Sequence, residues 1–186
     1  MKVGILGVGQ ISSKLLDEIA HAIMEILPDC SSEIVEDVLA VPEQAFDRKR
    51  RQYNSTAILN DVRSFAAGQT RWHRIIGLVD VDIYTSGLNY VFGEAYVSGP
   101  AGLVSLWRLK PQFYGETLET KVLLERTIKE AMHELGHTLG LQHCARSYCV
   151  MHFSNSIFDT DKKQSLFCDQ CYLTASIAID QLGQIP

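Results

Sequence analysis

The chain has 186 residues, 46% of them hydrophobic and 21% charged. This excludes an intrinsically disordered chain and is enough for about one domain with a core of its own. Seventeen basic against 22 acidic side chains leave a net charge of −5, which argues against a protein that works by neutralising nucleic-acid phosphates. No apolar run reaches the ~18–20 residues that span a bilayer, and the start Met1-Lys2-Val3-Gly4-Ile5-Leu6-Gly7-Val8-Gly9 passes into charged residues without a small-residue cleavage site. The expectation is a soluble, cytoplasmic protein with no signal peptide, no membrane partner and no nucleic-acid partner.

In chain order, Lys2–Leu6 reads as a short apolar strand. Ile11, Leu15, Ile19, Ile23 and Ile26 then recur at helical spacing until Pro28. Glu33–Val41 reads as a second strand, and Asn54–Ala67 as a helix with Asn54 and Ser55 as candidate N-caps. Three strands are expected between Ile75 and Trp107, broken at Ser86-Gly87 and Gly99-Pro100. One long helix covers Thr117–Leu139, a shorter one Leu173–Leu182, and the segment between them is irregular and rich in Cys and His. The fold class expected is α+β: a mixed, twisted sheet with helices on it, then a small metal-organised tail.

The chemistry concentrates in His133-Glu134-Leu135-Gly136-His137-Thr138-Leu139-Gly140-Leu141-Gln142-His143. Residues four apart on a helix project within about 40° of each other and about 6 Å along the axis, so His133 and His137 can place two imidazoles on one cation. A continued helix would carry His143 to the far side, about 240° round from His137. Gly140 is where the helix must end, since glycine accepts the left-handed conformation that reverses a chain after a helix. Three neutral imidazoles with a fourth position open describe a catalytic zinc site rather than a closed structural one. Zinc lowers the pKa of a bound water towards about 7, and Glu134, beside the first ligand, is placed to take its proton as general base.

Five cysteines are unevenly spread: Cys30 stands alone, while Cys144, Cys149, Cys168 and Cys171 cluster. In a chain without a secretion signal, two paired-cysteine turns about twenty residues apart match a tetrahedral four-thiolate zinc site. Such a closed site leaves no position for substrate and would pin the segment after the active-site helix against the C-terminal helix.

The eleven-residue histidine run is the metzincin signature, and the longer pattern resembles the archaemetzincins: HExxHxxGxxHC, four residues, Cys149, one residue, Met151, sixteen residues, then Cys168-Asp169-Gln170-Cys171. The resemblance implies a metzincin-like single domain over 1–186. Residues 1–140 would form the N-terminal subdomain with the active-site helix, and 141–186 the C-terminal subdomain with the four-cysteine zinc site. It further implies a zinc metallopeptidase with two zinc ions, one catalytic and one structural, and a peptide or protein substrate. Met151 would lie in a tight turn as an apolar floor beneath the histidine ligands. Metzincins bind substrate as an added strand on a sheet edge, and Phe92-Gly93-Glu94-Ala95-Tyr96 is a candidate for that edge. The rival reading is a catalytically weak or inactive zinc protein serving as a peptide-binding or scaffolding module; an intact Glu134 argues against it.

Three other signals carry bland readings. Gly7-Val8-Gly9 is similar to a dinucleotide fingerprint, but Ser12 stands at the third glycine position, so a tight strand–helix turn is expected. Arg48-Lys49-Arg50-Arg51 is too narrow for a nucleic-acid face and reads as a solvated loop. Asp80 and Asp82 alternate with apolar residues and read as an outward strand face rather than a calcium site.

Overall fold

The computed structural model describes residues 1–27, 29–117 and 119–183. Strands β1 (Lys2–Val8), β2 (Ser31–Leu39), β5 (Arg74–Val79), β7 (Gly93–Ala95) and β8 (Ala101–Ser105) form one sheet in the order β2-β1-β5-β8-β7. The first four in that order pair in parallel and β7 runs antiparallel to β8, so the sheet is mixed, as expected. A second small sheet orders β3 (Phe46–Asp47), β4 (Gln52–Asn54) and β6 (Ile83–Tyr84).

Parallel strands buried on both faces read as continuous apolar runs, and the two faces here collect different helices. Val3, Ile5, Ile76, Leu78 and Val104 pack with Leu16, Ile19 and Ile23 of α1 (Ser13–Ile26) and with Ala131, Met132 and Leu135 of α3 (Thr120–Thr138). Their alternate neighbours Leu6, Val8, Ile75, Val79 and Leu103 pack with Ile58, Leu59 and Val62 of α2 (Ser55–Ala67). Helix α3 therefore lies on one face of the sheet with its C-terminal half buried. Ala175 and Ile179 of α5 (Asp169–Gly183) join the same cluster. Among the described residues no helix is long and apolar enough to cross a membrane.

Several expectations need adjusting. The α1 helix ends at Ile26, and Pro28, its expected stop, lies outside the described residues. Asn54 caps α2, its side chain accepting from Ala57 N–H at 2.9 Å, while Ser55 is already helical. Four strands rather than three occupy the stretch from Ile75 to Trp107. The strand expected through Asp80 and Asp82 stops at Val79, because both acids leave the sheet for ion pairs: Asp82 with Arg108 at 2.6 Å and Asp80 with Lys110 at 2.6 Å. The α3 helix starts at Thr120 rather than Thr117, and Leu118 lies outside the described residues. The last helix begins at Asp169, four residues before Leu173, and a short helix α4 (Ile157–Lys162) precedes it.

Candidate metal centres and cleft

Helix α3 ends as its sequence requires. Gly140 takes φ +91°, Leu141 N–H bonds the carbonyl of Gly136 at 3.0 Å, and Gly140 N–H that of His137 at 2.9 Å. This is a Schellman motif, which satisfies carbonyls left over at a helix end and reverses the chain. The reversal brings His143 back: its ring centroid lies 5.3 Å from that of His133 and 4.9 Å from that of His137. The ligand nitrogens of all three histidines fall within 4.8 Å of one another.

The backbone also sets their tautomers. His133 Nδ1 is 2.8 Å from Val150 O, and His137 Nδ1 is 2.8 Å from Leu141 O. A carbonyl can only accept, so each Nδ1 carries the proton and each Nε2 presents a lone pair. Burial holds His133 well below the usual imidazole range, and His137 and His143 below it, which favours neutral rings. The two Nε2 atoms, 3.1 Å apart, then face each other as lone pairs, an arrangement that a cation resolves. Nitrogens sharing one tetrahedral zinc at ~2.0–2.1 Å lie roughly 3.3–3.4 Å apart, so the spacing fits that metal.

Glu134 sits beside this cluster, buried, with Oε2 lacking any hydrogen-bond partner. Burial pushes its carboxyl well above the usual range. Glu130 adds to the shift, Lys163 opposes it and Glu94 adds again. An orphaned carboxylate oxygen next to three converging imidazoles fits a cation and its bound water.

The cysteine cluster lies behind. Cys144, Cys149, Cys168 and Cys171 carry free sulfurs that lie within 4.8 Å of one another. Cys144 and Cys168 Sγ are 3.9 Å apart, against roughly 3.8 Å for two sulfurs of a tetrahedral zinc site with bonds of ~2.3 Å. Cys168 N–H points at Cys149 Sγ (3.3 Å), and Arg146 Nη1 at Cys168 Sγ (3.3 Å). Against burial, which raises it, the Cys171 N–H, the Cys171 and Cys149 thiols and Arg146 pull the Cys168 thiol down to about 6. Donors aimed at sulfur suit thiolates, the ligand form of cysteine.

Met151 links the two clusters. Cys149–His152 is a turn closed by His152 N–H to Cys149 O at 2.9 Å. Its first residue belongs to the sulfur cluster, its second supplies the carbonyl that orients His133, and its third packs against α3. A Cβ on Gly136 would meet Met151 Sδ at 2.3 Å, so only glycine leaves room for this methionine. Cys144 N–H, beside His143, bonds Met151 O at 2.9 Å. All the residues expected at the two sites from sequence are thus brought together.

The histidines open onto a cavity of about 430 Å³, walled above by Phe92–Ala95 and below by Phe153–Asn155. Strand β7 is the last strand of its sheet. Ser105 N–H bonds Phe92 O and Tyr96 N–H bonds Ala101 O. By the alternation of an antiparallel ladder, Gly93 and Ala95 turn their own N–H and C=O groups to the free edge. Gly93 crosses directly over the carboxylate: a Cβ there would meet Glu134 Oε1 at 2.4 Å. At one end of the cavity, Tyr90 Oη donates to Asn155 O at 2.8 Å, joining the two walls.

One element of the site carried no sequence signal. Lys163, fully buried, places Nζ 2.9 Å from Glu130 Oε1 and 3.5 Å from His152 O, and Thr160 Oγ1 donates to the same Glu130 oxygen at 3.1 Å. Glu130 precedes Glu134 by four residues and so shares its helix face, which marks it as a candidate. Lys163 is 33 positions further on and has no such local clue.

The sequence profile of Peptidase family M54 matches residues 8–176. The archaemetzincin of Methanocaldococcus jannaschii is 40% identical over 171 residues, 92% of this chain and 90% of that one. The crystal structure of archaemetzincin from Methanopyrus kandleri matches with a TM-score of 0.84 at 33% identity, over 97% of this chain and 96% of that chain. The archaemetzincin of Archaeoglobus fulgidus, complexed with malonate, matches with a TM-score of 0.78 at 34% identity, over 94% and 99%. The matched residues 8–176 include both clusters, and the chain accordingly belongs to Peptidase family M54, the archaemetzincin family of metallopeptidases.

Proposed function

We propose that the protein is a metzincin-type zinc peptidase in which His133, His137 and His143 hold the catalytic zinc and Glu134 is the general base. Cys144, Cys149, Cys168 and Cys171 hold a second, structural zinc, and Met151 is the apolar floor between the two. The observation that carries this reading is Glu134 Oε2, buried and without a partner, beside three neutral imidazoles and beneath a free strand edge. Zinc bound there supplies Lewis acidity, polarising a carbonyl and lowering the pKa of water.

The chain's own residues do the rest. An extended peptide pairs with the outward N–H and C=O groups of Gly93 and Ala95, which carries its backbone over Glu134. Glu134 Oε2 receives a proton from the attacking water and returns it to the departing amine nitrogen. The hydrogen bonds from His133 to Val150 O and from His137 to Leu141 O keep each Nε2 unprotonated and fix each ring. We read the chain as one catalytic domain with residues 141–186 as a C-terminal subdomain; the core cluster that α1, α3 and α5 share supports this.

The test is a peptide-library digestion with zinc-loaded protein, beside Glu134→Ala carrying the same zinc content. Cleavage by the parent and a loss of about 10²-fold or more in the variant is expected. Equal cleavage by both, or zinc lost together with activity, would contradict the role given to Glu134.

A further inference from the structure

Glu94 is the middle residue of β7 and is one of the residues that line the cavity. Side chains alternate along a strand. Gly93 faces Glu134 on the α3 side of the sheet, while the Glu94 carboxylate reaches the α2 side, where Thr56 Oγ1 donates to Oε1 at 2.8 Å and Ser55 Oγ contacts Oε2. Ser55 Oγ is also 2.9 Å from Tyr84 O, and its one proton cannot serve both acceptors. A carboxylate offers about four lone-pair sites, and these hydroxyls fill at most two of them.

No cation answers this charge. Among the described residues no Lys or Arg pairs with Glu94, and no Lys or Arg lines the cavity. Glu130, the other carboxylate there apart from Glu134, already has Lys163 at 2.9 Å. Capping α2 does not account for Glu94, since Asn54 fills that place with a 2.9 Å bond from Ala57 N–H and the partners of Glu94 are side-chain hydroxyls.

The register says what would. A peptide strand paired with Gly93 and Ala95 has one residue opposite Glu94, in the non-hydrogen-bonded position relative to that peptide. Residues so opposed share a face, with Cβ atoms ~4.5–5.5 Å apart, and opposite charges there attract. We propose that Glu94 is a specificity-determining residue that selects peptides with a basic side chain, lysine or arginine, at the position lying opposite it on the edge of β7. This rests on the cavity being a peptide-binding cleft.

Binding to the zinc-loaded Glu134→Ala protein tests it without turnover. Peptides acetylated at the N-terminus and amidated at the C-terminus, so that only side chains carry charge, would place lysine, arginine, glutamate or norleucine at each position in turn, and affinities would be read by calorimetry. At one position the basic peptides should bind about tenfold more tightly than norleucine. That advantage should shrink as salt rises and vanish when Glu94→Gln is added. Charge reversal by Glu94→Lys should turn the preference towards glutamate. Equal binding of lysine and norleucine peptides at every position in the Glu94-bearing protein would overturn the proposal, as would a basic preference that survives Glu94→Gln. Failure of every peptide to bind is a different result, which would overturn the cleft reading itself.

Discussion

His143 and Cys144 are neighbours in the chain but face different centres. His143 is exposed at the cavity, and the histidine centre leaves a side open beside the orphaned oxygen of Glu134. The cysteine centre is drawn from two loops and the start of α5, with Cys149 and Cys168 buried, and none of its four members lines the cavity. The first pairs two residues of one rigid helix with a third delivered by the Gly140 reversal; the second has no helix to preset its loop cysteines. An open set of three imidazoles suits chemistry, whereas a closed set of four thiolates suits folding. The closed centre also serves the open one, because Cys144 and Cys149 flank the backbone that delivers His143 and orients His133.

The sharpest way to break this contrast is to remove a sulfur. Metal binding by a closed thiolate site is itself folding free energy. Cys168→Ser should therefore cost about 5 kcal/mol or more, lowering Tm by about 10–20 °C. A melt followed by circular dichroism checks it; His143→Ala in the same assay should move Tm far less while weakening metal binding at the histidine centre.

Next in size is the buried Glu130–Lys163 pair beside the histidine centre. Lys163→Met leaves the Glu130 charge buried and unanswered, which costs about 3–5 kcal/mol when one partner of such a pair is removed. Replacing Glu130 and Lys163 together with methionine should recover most of the loss. Denaturant melts of the two singles and the double give the coupling, and a double variant as unstable as the sum of its parts would show that the pair does not act as one.

A smaller effect is expected where the centres touch. Gly136→Ala would drive a methyl group into Met151 Sδ and should destabilise by about 1–3 kcal/mol, as overpacking does. Because Met151 belongs to the turn that orients His133, the variant should bind metal more weakly at the histidine centre and normally at the cysteine centre. Metal content at limiting zinc, compared with the parent, reads this directly.

What is legible in the sequence follows the range of the interactions. His133, Glu134 and His137 are placed by helical period, His143 by the glycine that ends the helix, and the cysteines by paired spacing; each signal lies within a few residues. The main strands and helices are visible for the same reason. The breaks around Asp80 and Asp82 are not, because alternation promises a strand while Lys110 and Arg108, 30 and 26 positions away, draw the acids out. The α4 helix also escapes the sequence reading, although Ser156 and Asp159 form a capping box and Ser-x-x-Asp is a signal that could have found it. Lys163 and Glu94 acquire their meaning from carboxylate and hydroxyl partners more than 30 positions away, Glu130 and Ser55.

The division into an open and a closed centre is tested most directly by zinc content during graded chelation, with near-ultraviolet circular dichroism recorded on the same samples. Two zinc ions per chain are expected at the start. One leaves under mild chelation while the tertiary signal persists, and the second leaves only under strong chelation, taking the fold with it. A single zinc in fully loaded protein, or two ions that leave together as the fold is lost, would contradict it.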